Sequence, residues 1–340
     1  MNGTMQVMEL SAWGHENLSL TERPIPEPPF GHVLVRLEAA SLNYRDLAVM
    51  GGHMYPTRPL PLIPFSDGAG RVAAVGDGVI GFAEGDAVCP TFYREWTGGE
   101  PTRAALSSAL GGDHDGTLAQ YMAVPTAGLV HVPKGWTPQQ SATLPCAALT
   151  AWSALTTENK LSAGDTLLVL GTGGVATFAI KFAKALGARV IVLSSSDEKI
   201  ARAKALGADD GINYKTTPEW GPVVREMTQG RGVDQVLELG GGETLAQSLA
   251  AIRVGGHISV IGVLAGRESH VQIGQILFGH ARIHGITVGP REDFEAMVRA
   301  IELHGIEPEI DRIFPMAQVG EAVAHMAGQS HFGKICIDIP

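Results

Sequence analysis

The sequence predicts an α/β protein built on a doubly wound parallel sheet, joined to a second domain rich in short strands. Three observations lead there. The chain has 340 residues, too long for one ordinary core and comfortable for two domains. Up to about Pro145 it consists of short extended runs broken by Gly and Pro, such as HVLVRL at 32–37, GRVAAV at 70–75 and the stretch 118–124, a texture that leans to all-β structure. From about Leu144 strands and helices alternate, which argues for a parallel sheet with crossover helices.

Each element of that second region carries its own signal. TLLVL at 166–170 is a short apolar run of buried-strand type. Val175, Ala176, Ala179, Ile180, Ala183 and Leu186 then fall on one helical face, with Gly187 at the C-terminal end. RVIVL at 189–193 is the next strand, and a helix over 197–206 ends at Gly207. Strands follow at 211–214, 233–239 and 257–263, separated by helices near 218–227 and 243–252. The chain from about Gly285 reads as a return to the first domain. The expected division is therefore 1–147 with 286–340, and 148–285. Residues 97–116 read as a long loop, a kind of segment that often carries function.

Composition narrows the function. Hydrophobic residues make up 45% of the chain, so both domains can bury a core, and the 43 glycines are scattered as turns rather than concentrated in low-complexity tracts. A net charge of −10 argues against nucleic-acid or anionic-membrane partners. No run of about 18 apolar residues suggests a membrane span, and no secretory signal is evident, so the cytoplasm is the expected compartment. The three cysteines, Cys89, Cys146 and Cys336, form no CxxC pair, which speaks against a disulfide framework or a cysteine-rich zinc lobe.

The strongest motif is Gly171-Thr172-Gly173-Gly174-Val175-Ala176, directly after TLLVL and opening the helix. In that setting the first glycine permits the tight turn and the second lets the backbone approach a pyrophosphate. The small Ala176 lets helix and strand pack closely, and the helix N-terminus offers free N–H groups. The motif points to a Rossmann dinucleotide site. At the end of the next strand, an acidic residue would select a free ribose hydroxyl. Here Ser194 and Ser195 stand there instead, with Lys199 and Tyr214 within reach of a 2′-phosphate. NADP(H) is favoured over NAD(H), although Asp197 and Glu198 lie close by.

With those motifs in place, the chain resembles the medium-chain dehydrogenase/reductase superfamily over nearly its whole length. It is most similar to the zinc-free quinone oxidoreductase-like, alcohol dehydrogenase-like branch. The resemblance rests on ERPIPEPPFGHVLVRLEAASLNYRDL, DGAGRVAAVGDGV, GFAEGDAV, ATLPCAALTAWSAL, GTGGVATFAIKFAKALGA and VGEAVAHMAGQSHFGKICI. It implies a GroES-like catalytic domain, a Rossmann domain, a cleft between them, and homodimers or homotetramers often joined through the last Rossmann strands. Zinc-dependent relatives carry Cys where this chain has Asn43, and His where it has Ser66. Only Cys146 matches a ligand, so no catalytic zinc is expected, because such sites need about three N or S donors.

The resemblance also places Asn43, Tyr44 and Arg45 beside the nicotinamide end of the cofactor, and Thr150 against its ring. Gly240, Ile261, Gly262 and Val263 run along the cofactor, and Phe332, Gly333 and Lys334 close over it. The implied activity is hydride transfer to or from a small carbonyl, quinone or enone substrate. A site without zinc must stabilise the developing oxyanion with hydrogen-bond donors. Tyr44 is the candidate donor, with Asn43 orienting substrate or ribose. Asp46 reads as structural, paired with Arg45, and Arg291 as structural, paired with a nearby carboxylate. His114 in GGDHDG reads as a loop residue rather than a metal ligand. His53 and Tyr55, in a Gly-rich turn, read equally as pocket lining or as surface. Two alternatives stay open: a zinc alcohol dehydrogenase with unusual ligands, and a non-catalytic NADPH-binding protein.

Overall fold

The computed structural model describes residues 3–340. In chain order it runs β1 (Thr4–Leu10), β2 (Leu18–Pro24), β3 (His32–Ser41), α1 (Tyr44–Met50), β4 (Asp67–Val75), β5 (Ala87–Pro90), α2 (Arg103–Leu106), β6 (Tyr121–Pro125), β7 (Leu129–His131), α3 (Pro138–Ser141) and α4 (Leu149–Thr156). Next come β8 (Thr166–Leu170), α5 (Gly174–Ala185), β9 (Arg189–Ser194), α6 (Asp197–Ala205), β10 (Asp210–Asn213), α7 (Trp220–Met227), β11 (Val233–Glu238), α8 (Leu245–Ala251), β12 (Ile252–Val260), α9 (Ile273–Gly279) and β13 (Arg282–Gly285). The chain ends with α10 (Arg291–His304), β14 (Ile310–Pro315), α11 (Val319–Ala327) and β15 (Lys334–Asp338). Two compact units result: residues up to Leu149 together with Val288–Pro340, and Thr150–Thr287.

The second unit is a six-stranded sheet in the order β10-β9-β8-β11-β12-β13, with every pair parallel. This is the doubly wound order of a Rossmann fold. Its central strands β8 and β11 are buried at every residue, as expected of strands covered on both faces. Leu168, Ile191, Val236 and Ile258 of the sheet share one core with Trp220, Val224 and Leu249 of the helices. Helix α7 starts at Trp220 and α8 at Leu245, each two residues later than the apolar periodicity suggests.

The first unit holds the β1–β2 hairpin and a seven-stranded sheet in the order β14-β15-β3-β4-β5-β7, with β6 pairing to β3. The last strand, β15, lies antiparallel to β3 with Cys336 opposite Ser41, so the end of the chain is built into the first unit. Its core gathers Leu37, Leu42, Phe65, Leu118, Val323 and Ile337. The segment 97–116 is not a bare loop. It contains α2, whose cap Thr102 accepts the Ala105 N–H at 3.1 Å, and a turn in which the Asp113 carboxylate accepts the Ala109 N–H at 3.0 Å. Short-range capping by Thr and Asp orders the segment. No helix of the described residues is long and apolar enough to cross a membrane.

Candidate active site

In the Rossmann unit the glycine loop leaves β8 and enters α5 as the motif requires. Gly171 has φ +87°, a conformation that costs a side-chain-bearing residue energy. The N-cap of α5, Gly173, supplies no side-chain hydrogen bond to the helix, so the N–H groups of the first turn are open to an anion. Thr172 is buried beside them. Ser194 ends β9 opposite Asn213 of β10, and Tyr214 donates its N–H to the Ser194 carbonyl at 3.0 Å while its ring is 42% exposed. Ser196 caps α6 by accepting the Lys199 N–H at 3.3 Å. Asp197 is held by the Asn213 amide at 2.9 Å.

The loops after β11 and β12 complete this group. The Glu238 carboxylate accepts the N–H groups of Gly240 at 2.9 Å and Gly241 at 3.0 Å, and the Thr244 hydroxyl at 2.6 Å. Ser248 also donates to it. This buried carboxylate shapes the Gly240 turn. Sequence reasoning passed over it, although an acid ending an apolar strand before GGG was a visible signal. A Cβ on Gly262 would meet the Leu239 carbonyl oxygen at 2.2 Å, so the segment 261–263 runs against the end of β11 only because residue 262 is glycine. Val263 is 42% exposed. Thr150 is buried, and its hydroxyl donates to the Thr287 carbonyl at 3.1 Å.

In the first unit, α1 begins immediately after Asn43. The Asn43 N–H donates to the Asp46 carboxylate at 2.8 Å, and Arg45 donates to the same carboxylate at 3.2 Å. Burial pushes Asp46 up to about 6, against the pull of Arg45. Arg45 also donates to the Leu110 carbonyl at 3.0 Å and lies over the Phe92 ring. Tyr44, the first residue of α1, is 47% exposed.

Lys334 is 2% exposed. Its ammonium donates to the Asn43 Oδ1 and the Leu42 carbonyl, both at 2.6 Å, and stands 3.9 Å from the Asp67 carboxylate. An ammonium has only donors, so Asn43 must turn its carbonyl oxygen toward it and its amide nitrogen away. That nitrogen faces the Ser66 hydroxyl at 3.4 Å. Asp67 accepts Ser66 Oγ at 2.7 Å and the Cys146 N–H at 3.1 Å. Burial raises Asp67 above the usual carboxylate range, opposed chiefly by Lys334, and burial followed by the Asp67 charge raises the Cys146 thiol. Phe332 and Gly333 precede Lys334 at the start of β15. Phe332 is buried, with its N–H on Asp311 at 3.0 Å. Gly333 has φ +83°, and a Cβ there would meet the Glu309 carbonyl oxygen at 2.3 Å.

Arg291 pairs with Glu295 at 2.8 Å and donates to the Thr126 carbonyl at 3.1 Å, a structural arrangement. His114 is half-buried in a turn, its N–H bonded to the Ala109 carbonyl at 3.1 Å.

Comparison with known proteins places these sites in context. Residues 29–134 match the alcohol dehydrogenase GroES-like domain family, and residues 174–302 match the zinc-binding dehydrogenase family. The chain is 46% identical to a zinc-type alcohol dehydrogenase-like protein of Schizosaccharomyces pombe over 96% of each chain. The chain belongs to the medium-chain dehydrogenase/reductase superfamily. A solved Sinorhizobium meliloti protein assigned to the alcohol dehydrogenases superposes on this medium-chain dehydrogenase/reductase with a TM-score of 0.94 and 42% identity, over the whole of both chains. A solved NAD-dependent alcohol dehydrogenase gives a TM-score of 0.91 at 33% identity, over 99% of this chain and all of the other. As a medium-chain dehydrogenase/reductase with a GroES-like and a Rossmann unit, the protein is an NAD(P)-dependent oxidoreductase.

Proposed function

We propose that this oxidoreductase transfers hydride between NADP(H) and a small carbonyl, quinone or enone without using zinc. The observation that carries the cofactor half is the glycine loop: Gly171 at positive φ, followed by an uncapped helix N-terminus at the end of a fully buried strand. Residues 171–175, Thr150, Gly240 and the 261–263 segment would hold the dinucleotide. The bound nicotinamide supplies the hydride. The work left to the chain is to orient the substrate oxygen and stabilise its developing charge. Asn43 is one candidate donor, since Lys334 fixes its carboxamide and polarises it, with the amide nitrogen facing the buried Ser66 hydroxyl and Asp67. Tyr44 is a second candidate donor at the start of α1.

The residues at the zinc-ligand positions do not fit the metal. Asn43 and Ser66 replace nitrogen and sulfur donors, and the Lys334 ammonium already occupies the donor set of Asn43 and Asp67. A Zn²⁺ there would find fewer than three of its usual N or S donors, with Cys146 alone at a ligand position, and would face the buried Lys334 ammonium. NADPH or NADH oxidation with a panel of enones, quinones and aldehydes is therefore expected to persist in EDTA, with zinc far below one per chain by elemental analysis. Stoichiometric zinc lost together with activity would instead establish a zinc enzyme with unusual ligands. Tight cofactor binding with no turnover on any member of the panel would leave a binding protein.

Cofactor choice turns on Ser194. A carboxylate at the end of β9 would repel a 2′-phosphate, whereas serine hydroxyls donate to it and Lys199 adds a charge-assisted bond. The nearby Asp197 is engaged by Asn213. Relatives named for NAD read the other way, and calorimetry decides between the two. NADPH is expected to bind more tightly than NADH, and Ser194→Asp to reverse or erase the preference. Lys199→Ala should weaken NADPH by roughly 1.5–3 kcal/mol with NADH little changed. Tighter binding of NADH to the wild type would refute the assignment.

The proposed oligomer is a homodimer joined at the β13 edge. Every residue of that edge strand is exposed, an arrangement that invites pairing with another strand. Beside it α9 has no buried residue and presents Ile273, Leu277 and Phe278, the last 79% exposed. Sedimentation is expected to show a dimer, or a tetramer containing it, for the wild type and dissociation for Phe278→Asp. A monomeric wild type at micromolar concentration would rule the interface out.

A further inference from the structure

Strand β11 ends in an acid, and three glycines follow shortly after it. Gly240, Gly241 and Gly242 bring no side chain to hold their turn, and glycine loses more backbone freedom on ordering than any other residue. Glu238 is fully buried, a costly place for a carboxylate unless hydrogen bonds satisfy it. The four donors that do so are all neutral. Oε1 accepts the Gly240 and Gly241 N–H groups and the Thr244 hydroxyl, and Oε2 accepts the Ser248 hydroxyl. One side chain thus ties the glycine turn to the start of α8.

A second loop is built on that turn. The Glu238 carbonyl accepts the N–H groups of Ile261 at 2.9 Å and Gly262 at 3.1 Å. The Gly240 carbonyl accepts the Ala265 N–H at 2.7 Å, and Gly242 donates its N–H to the Gly266 carbonyl at 2.8 Å. The two backbones touch. Gly241 has φ +83°, and a Cβ there would meet the Gly262 and Gly266 carbonyl oxygens at 2.9 Å and 2.8 Å. Residues 261–266 therefore take their path from residues 238–242. All of these bonds lie within the Rossmann unit, and none of them involves the glycine loop at 171–174 or the end of β9.

We propose that Glu238 is a positioning residue for the nicotinamide half of the dinucleotide. Its carboxylate sets the glycine turn, and the turn sets the 261–263 backbone along which that half lies. The inference rests on the dinucleotide site proposed above and divides it in two. The adenosine half depends on the Gly171 loop and Ser194, which β8, α5 and β9 hold in place. The nicotinamide half depends on a turn of glycines fixed by one buried side chain. An apolar residue at position 238 would leave two backbone N–H groups and two hydroxyls without their acceptor, so the turn must shift to find others. Glutamine would not force that shift. Its carbonyl oxygen can serve the three donors on Oε1, and its NH₂ can donate to the Ser248 hydroxyl, which is able to accept.

Calorimetry on the full chain tests this with NADPH and with adenosine 2′,5′-bisphosphate, which carries the adenosine half alone (NADH and ADP, should NADH be the tighter cofactor). Glu238→Leu is expected to weaken the dinucleotide by roughly tenfold or more, the scale of a lost hydrogen bond to a charged group, and to leave the half-cofactor unchanged. Glu238→Gln should bind both as the wild type does. Thr244→Val removes one donor to Oε1 and keeps the side-chain shape. It should weaken the dinucleotide selectively by a smaller factor, and it carries the requirement if Glu238→Leu does not fold. A wild type that binds neither NADPH nor NADH would overturn the dinucleotide site and this inference with it. A wild type that binds, with both ligands weakened alike or the dinucleotide unaltered in a folded variant, would overturn the inference alone.

Discussion

Lys334→Met is expected to destabilise the protein by about 3–5 kcal/mol, the usual cost of removing one partner from a buried ion pair. The ammonium is 2% exposed. It lies 3.9 Å from the Asp67 carboxylate, and it also donates to Leu42 and Asn43. Methionine fills much the same volume but leaves Asp67 charged and buried among Ser66, Asn43 and Cys146. The pH dependence follows from the same pair. Burial already raises Asp67, and Lys334 is the chief opposing influence, so the variant raises it further. A carboxyl raised on folding holds its proton more tightly in the native state than in the unfolded chain. Its stability is therefore lost as pH rises from the unfolded value through the folded one. Urea denaturation should show a larger deficit at about pH 8 than at about pH 5. Lys334→Met combined with Asp67→Asn should recover a large part of the loss. Equal deficits at both pH values, or no recovery in the double variant, would show that the pair contributes through packing alone.

The second large effect is on the chemical step. Asn43→Leu is expected to lower kcat by roughly 10²–10³-fold, the range for removing one oxyanion donor, while calorimetric affinity for the cofactor stays as in the wild type. The amide of Asn43 is directed by a donor-only neighbour, so its N–H side is oriented before substrate binds. Tyr44→Phe separates the two candidates. Tyr44 is 47% exposed at the first position of α1, and a drop in kcat in that variant, with Asn43→Leu unaffected, would transfer the donor role to it. An Asn43→Leu variant that loses cofactor affinity but keeps kcat would instead assign Asn43 to the ribose.

Features carried by contiguous residues were legible before the structure. The run TLLVL, the spaced glycines and the apolar helical face after them each act within a few residues. The resulting strand–turn–helix appears at Thr166–Leu170 and Gly174–Ala185. The pairing of Arg291 with a carboxylate was also readable, because partners four residues apart meet along a helix face, and Arg45 lies next to Asp46 in the chain and pairs with it. The Glu238 support of the Gly240 turn and the cap of α2 by Thr102 were not. Each depends on where a side chain points once neighbouring elements have packed.

By itself, then, the sequence determined the alternation of elements, the glycine turn between β8 and α5 and the absence of an acid at Ser194. These follow from local periodicity and from the φ that only glycine tolerates. Only the tertiary structure decided what stands around Asn43. Lys334 is 291 residues away in the chain and was expected to close over the cofactor. It is buried against Asn43 because β15 lies antiparallel to β3 in the register that sets Cys336 opposite Ser41. Strand register over such a separation is chosen by the burial of whole sheet faces, and no stretch of neighbouring residues encodes it.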